Sequence, residues 1–203
     1  MTNPTLILAS ASLSRRELLT HAGVSFDVEA SGIDETEAAR SLLAERASPQ
    51  EIAEKLAELK ALRVSARHAT AMVVGGDSTL ACNGRLFDKP STLEAARKQL
   101  LALRGQTHEL FSSVVVARSG VRLWHWNERA RLTMRPFTEA FLDAYLARAG
   151  ETVLTSVGAY RLEGLGAHLF TRVDGDYFTI LGLPLLPLLS FLAGHGIGLE
   201  QAA

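Results

Sequence analysis

The chain has 203 residues, 47% hydrophobic and 21% charged, with a formal net charge of −1. That length fits one large domain or a domain with an extra lobe, and that composition fits an ordinary globular protein with a sizeable core. A near-zero net charge excludes a global field that would draw the chain to nucleic acid or an anionic membrane, so any anionic ligand must be met by local cations. The single cysteine, Cys82, excludes an internal disulfide and suits a reducing compartment.

The apolar stretch Leu6 to Ala9 is too short for a secretory signal core, and Ile180 to Leu192, interrupted by Pro184 and Pro187, is too short to span a bilayer. The expected location is the cytoplasm.

Thr5 to Ala9 reads as a short buried strand, followed by a helix whose start is spelled by a capping box, Ser14 with Glu17. Gly23 is a suitable residue to close that helix. Phe26 to Ala30 alternates as a strand and leads into a polar loop, Ser31 to Glu35.

Ser48-Pro49 opens a well-signalled helix with Glu51 and Glu54 early and Arg63 and Arg67 late. Ile52, Leu56, Leu59 and Arg63 recur at helical spacing, with Lys60 at the flank of that stripe. Ala71 to Gly75 is a strand, and Asn83-Gly84 predicts a hairpin turn into Leu86-Phe87.

A helix follows from Ser91-Thr92 to Leu103, then β-rich stretches over His108 to Arg118 and Arg122 to Met134, then a helix from Thr138 to Ala149. The tail from Ser156 to Gly182 is rich in glycine and aromatics, and Ile180 to Leu192 reads as a buried helix. Strands alternating with helices, interrupted by a hairpin, predict an α/β protein with a mixed twisted sheet flanked by helices.

Several positions could carry chemistry. Ser10, Ser12, Ser14 and Arg15 lie at a strand-to-helix junction, where first-turn amides favour an anion. Asp34 and Glu35 are hard oxygen donors of the kind magnesium or manganese requires. Asp77 follows two glycines that permit close approach by a ligand, at a predicted strand end that suits a general base or metal ligand. Lys60 and Lys89 are compact charges able to follow phosphate oxygens. Each has an ordinary alternative: helix capping, a simple turn or a solvated side chain. No Gly-x-x-x-x-Gly-Lys-Ser/Thr loop is present, and neither the six histidines nor Cys82 shows metal-ligand spacing.

Taken in order, these segments resemble one family. Leu6-Ile7-Leu8-Ala9-Ser10-Ala11-Ser12 with Arg15, Ile33-Asp34-Glu35, Leu56 to Ala61, Gly75-Gly76-Asp77, Asp88-Lys89-Pro90 and Gly105-x-Thr107-His108 carry the likeness. Gly158-Ala159-Tyr160, Glu163 to Gly166, Gly175-Asp176-Tyr177 and Gly182-Leu183-Pro184-Leu185 extend it through the tail. Together they resemble the Maf proteins, nucleoside triphosphate pyrophosphatases related in fold to the inosine triphosphatases.

The resemblance implies a single domain over residues 1–203 with a cleft between two lobes. It implies hydrolysis of a common or modified nucleoside triphosphate to the monophosphate and pyrophosphate in nucleotide-pool sanitation, with a divalent metal, Mg2+ or Mn2+. It implies that Asp77 is the catalytic carboxylate, that Glu35 joins it in binding metal, that Lys60, Lys89 and Arg15 hold phosphates, and that Ser10 lies in a phosphate loop.

Leu13 stands where family members usually carry proline. Ser14, Ser78 and Glu163 occupy the positions that separate subgroups. The dTTP- and UTP-favouring branch carries arginine, threonine and glutamine there; the 7-methyl-GTP branch carries tryptophan, glutamine and glutamate. Only Glu163 is shared, with the second, so the pattern fits neither branch and leaves the base open. A carboxylate accepts hydrogen bonds from a guanine-type edge, which inclines the expectation away from dTTP and UTP.

The resemblance also carries an alternative, a nucleotide-binding regulator of cell division and septum formation with little turnover. Homodimers occur in the family, and Trp124 and Trp126 are open to two readings, an interface or packing in the core or hairpin.

Overall fold

The largely buried strands Leu6–Leu8 and Met72–Cys82 at the centre, with more exposed strands toward the edges, belong to an open, mixed, seven-stranded sheet in the computed structural model, which describes residues 5–199. The strands are β1 (Leu6–Leu8), β2 (Asp27–Val28), β3 (Met72–Cys82), β4 (Arg85–Phe87), β5 (Thr107–Arg118), β6 (Val121–Met134) and β7 (Phe170–Asp174). The helices are α1 (Leu13–His21), α2 (Glu35–Ala44), α3 (Pro49–Ser65), α4 (Leu93–Leu103), α5 (Glu139–Ala149), α6 (Tyr177–Ile180) and α7 (Leu185–Ala193).

The sheet order is β2-β1-β3-β5-β6-β7, with β4 paired to β3. β1 pairs in parallel with both β2 and β3, which is why its three residues are all buried and read as an unbroken apolar run. The predicted Asn83-Gly84 hairpin turn forms, and the structure adds a second at Ser119-Gly120, between β5 and β6. Asn83-Gly84 (φ 50° and 76°) and Ser119-Gly120 (φ 52° and 75°) have positive φ at both turn positions, the geometry that matches strand twist.

The chain divides into two compact units. The first holds the described residues up to Asp77, Ser112–Glu128 and the described residues from Gly182 onward. Its core includes Ile7, Ala9, Val64, Ala71 and Val73, with Ala57, Ala61, Val115 and Ala117 forming a second cluster. Trp124 stacks on Phe191 at 5.0 Å, while Trp126 stays 45% exposed. The second unit, Ser78–Phe111 with Arg129–Leu181, has one large core that includes Leu80, Phe87, Leu100, Leu132, Met134, Leu142 and Tyr160.

Four sequence expectations require correction. The Ser14–Glu17 capping box does not form: α1 begins at Leu13, and Ser12 is its N-cap without a side-chain bond. Glu35 is not in the loop, which ends at Asp34. Asp34 caps α2 by accepting from the Glu37 N–H, and Glu35 is the helix's first residue. β3 does not end at Gly75 but runs to Cys82, so Asp77 sits mid-strand. On α3 the buried face carries Lys60 with Ile52, Ala53, Leu56, Ala57, Ala61 and Val64, and Leu59 is the exposed residue.

The α3 start does form as expected, with Pro49 in the first turn, and the structure adds a reciprocal bond between Ser48 and Glu51. In α7, Pro187 falls in the first turn, where no helical N–H is needed. Among the described residues no helix is long and apolar enough to cross a membrane.

Candidate active site

The site begins with two glycines that shape the first unit. A Cβ on Gly75 would lie 2.1 Å from the Ala57 carbonyl oxygen and 2.8 Å from the Ala61 nitrogen, so the bare strand admits α3 at close range. That packing carries Lys60, one residue before Ala61, over β3. A Cβ on Gly76 would lie 2.9 Å from Arg15 Nε, so the second glycine makes room for an arginine from α1. The space that sequence reading reserved for a ligand is filled by the protein's own groups.

Asp77 follows directly. Lys60 Nζ donates to Asp77 Oδ1 at 2.6 Å and lies 2.8 Å from Glu35 Oε2. Lys60 is 3% exposed and Asp77 8%, while the Glu35 side chain is about half exposed. The ammonium therefore ties the start of α2 and the middle of β3 to the buried face of α3.

Arg15 is also buried, donating through Nε to the Gly182 carbonyl at 2.7 Å and through Nη1 to Ser10 Oγ at 3.3 Å. Burial pushes its pKa down, and the negative charges of Asp77 and Glu35 push it back up; a guanidinium stays protonated through such opposition. Ser10 Oγ also accepts from the Ser12 N–H at 3.2 Å, placing its hydroxyl at the approach to α1.

Two cations and two carboxylates thus share one partly buried place at the N-terminal ends of α1 and α2. Buried ion pairs are a poor source of stability because desolvation offsets attraction, so such a cluster points to chemistry. It can neutralise an anion and offer oxygen ligands to a cation.

Structure therefore brings together Ser10, Arg15, Glu35, Lys60 and Asp77. Ser14 lies in the first turn of α1, half-buried. Ser78, Lys89 and Glu163 belong to the second unit. Ser78 continues β3, and Lys89 follows β4 in a segment where the Asp88 carbonyl accepts from Gln99 Nε2 at 2.8 Å. Glu163 Oε1 accepts from Arg161 Nε at 2.6 Å. Both line a cavity of about 330 Å3 with Tyr145, Arg148 and Thr152. Burial, with the Glu163 charge near, pushes the Tyr145 hydroxyl up to about 12.

Sequence reading missed two contributors. The Gly182 carbonyl that anchors Arg15 is 167 positions away and invisible to any local pattern. Arg161 stands two residues before Glu163 in a glycine-flanked loop, a spacing visible in the sequence.

The Maf-like protein family matches residues 5–195. The chain belongs to the Maf family. The match covers every residue of the cluster. Among Maf relatives, a nucleoside triphosphate pyrophosphatase of Paramagnetospirillum magneticum is 55% identical over 190 residues, covering 94% of this chain and 98% of the relative. One of the same name from Caulobacter vibrioides is 51% identical over 93% of this chain and 94% of its own length. A 7-methyl-GTP pyrophosphatase of Rhizobium meliloti is 47% identical over 95% of this chain and 97% of its own. The Maf likeness thus extends over the whole of the described fold.

Proposed function

We propose that this chain is a nucleoside triphosphate pyrophosphatase, a hydrolase that cleaves a phosphoric anhydride bond to release a monophosphate and pyrophosphate, in nucleotide-pool sanitation, with the 203 residues acting as one such domain. Membership of the Maf family and relatives named for this activity support it. The observation that carries it at the level of chemistry is the buried Lys60 contact with both Asp77 and Glu35.

In this reading Asp77 takes the proton of the attacking water at its carboxylate. Arg15 and Lys60 stabilise charge on the phosphates as the anhydride bond breaks, the kind of preorganised electrostatics that supplies most of such a rate enhancement. Ser10 and the first turn of α1 supply N–H and O–H donors to the same anion. Lys89 adds a cation, and Ser14, Ser78 and Glu163 select the base.

A divalent metal fits the donors present. Magnesium and manganese need only one or two protein carboxylates alongside substrate phosphates and water, and Glu35 with Asp77 supply two. A zinc-type site does not fit, because among the described residues no group of three or more His, Cys, Asp or Glu is placed to hold a metal. Bound by Glu35 and Asp77, the metal would act as a Lewis acid and neutralise phosphate charge.

The test is product analysis across common and modified triphosphates with Mg2+ or Mn2+. Monophosphate with pyrophosphate is the expected result. Nucleoside diphosphate with orthophosphate would overturn the bond assignment, and nucleotide binding without turnover would favour a regulatory role.

A further inference from the structure

The carboxylate pair read above as the metal site already holds a cation. Lys60 Nζ is 2.6 Å from Asp77 Oδ1 and 2.8 Å from Glu35 Oε2, and only 3% of the residue reaches solvent. A divalent ion on either of those oxygens at ~2.0–2.1 Å would stand within about 5 Å of the ammonium nitrogen, by the triangle of those distances. Repulsion over that separation is barely screened by salt in a partly buried site.

Charge counting points the same way. Arg15 and Lys60 balance Glu35 and Asp77, so the cluster has no surplus negative charge to attract a free dication. Lys60 has no easy way out, because it sits on the buried face of α3, whose packing on β3 leaves no space for even a methyl group at Gly75. Arg15 is engaged elsewhere, with the Gly182 carbonyl and Ser10. A triphosphate changes the balance: it is polyanionic, brings oxygen ligands for the metal, and offers Lys60 a new partner as a carboxylate oxygen is given up.

The geometry points to Lys60 as the resident counter-ion of the Glu35–Asp77 pair, with the divalent metal entering only together with the triphosphate. This rests on the pyrophosphatase reading for the identity of the ligand. It goes beyond that reading by assigning the order of assembly, and by giving one lysine two successive partners, carboxylate first and phosphate second. Free metal then does not accumulate on the resting enzyme.

The test is Mn2+ titration of the full chain, followed by the paramagnetic signal of free Mn2+, with and without a non-hydrolysable α,β-methylene triphosphate. Wild type, Lys60→Met and Lys60→Arg are compared. Wild type is expected to take up one Mn2+ at least tenfold more tightly with the analogue than without. Lys60→Met is expected to bind Mn2+ alone at least tenfold more tightly than wild type, and Lys60→Arg, which keeps the charge, to bind as weakly as wild type.

Tight uptake of Mn2+ by wild type without the analogue would overturn the inference, as would no uptake with it. A folded Lys60→Met protein with no gain would do the same. Should Lys60→Met not fold, as circular dichroism would show, the wild-type comparison still decides. The pyrophosphatase reading fails on a separate result, the absence of monophosphate and pyrophosphate from any triphosphate offered to wild type.

Discussion

Lys60 Nζ and Asp77 Oδ1 are 2.6 Å apart, joining a helix to a strand 17 positions further along the chain, with both side chains nearly closed off from water. The close approach of α3 to β3 at Gly75 brings the two together, while Gly76 leaves room for Arg15 beside them. The same lysine gathers Glu35 from the start of α2.

Asp77→Asn keeps the shape of the side chain and removes its charge and basicity. Lys60 retains Glu35 as a partner, so the fold should survive while turnover falls. A positioned general base contributes ~10²–10⁴-fold, so kcat should drop by that factor, roughly 3–5 kcal/mol in barrier. Steady-state kinetics beside a thermal melt checks both halves. A folded variant with near wild-type kcat would remove Asp77 from the chemistry.

The two glycines should fail differently. Gly75→Ala would press a methyl group against backbone atoms of Ala57 and Ala61, which can yield only if α3 shifts. Overpacking of this kind costs about 1–3 kcal/mol or more, read as a lowered melting temperature. Gly76→Ala would meet the Arg15 side chain instead, at 2.9 Å from Nε. It should raise KM by displacing the guanidinium, with a smaller loss of stability. Equal melting temperatures for the two variants would refute the distinction.

His108 predicts how the fold responds to acid. It is fully buried, with Nε2 2.8 Å from the Tyr160 hydroxyl, and Nδ1 has no hydrogen-bond partner among the described residues. Burial pushes its pKa from 6.5 down to about 4. Because the folded value lies below the unfolded one, the unfolded chain takes up the proton first. Stability therefore falls as pH drops from 6.5 toward 4, by roughly 3 kcal/mol from this group. Urea unfolding of wild type and His108→Gln across that window should show the flatter profile for the variant. Parallel profiles would contradict this.

Glu163 is held by Arg161 at 2.6 Å, in a loop closed by the Gly164 N–H donating to the Arg161 carbonyl. If its carboxylate reads the base, Glu163→Gln should reorder kcat/KM between guanine-type and pyrimidine triphosphates without abolishing hydrolysis. Arg161→Ala should weaken the same preference by releasing the carboxylate. An unchanged ranking in both variants would take base selection away from this loop.

Much of this architecture was readable from local signals, because caps and turns act over three or four residues. The helix starts at Ser48-Pro49, Ser91-Thr92 and Thr138 and the Asn83-Gly84 turn all form where the sequence predicts them, and the structure adds a side-chain cap from Ser48, Thr92 and Thr138. α2 is the element the periodicity does not show, although Asp34 caps it by accepting from the Glu37 N–H. Gly75-Gly76 reads as a strand end because glycine weakens strands, and only the packing of α3 and Arg15 explains why β3 continues through them. Lys60 reads as a flank residue because a lone lysine belongs in water. Its burial depends on Glu35 and Asp77, whose approach no helical period encodes.

The most direct test is single-turnover hydrolysis of a triphosphate in 18O-labelled water, with mass analysis of both products. Attack beside the nucleoside, with Asp77 taking the proton of the water, predicts one labelled oxygen in the monophosphate and none in the pyrophosphate. Label in pyrophosphate, or in orthophosphate accompanied by nucleoside diphosphate, would contradict the account.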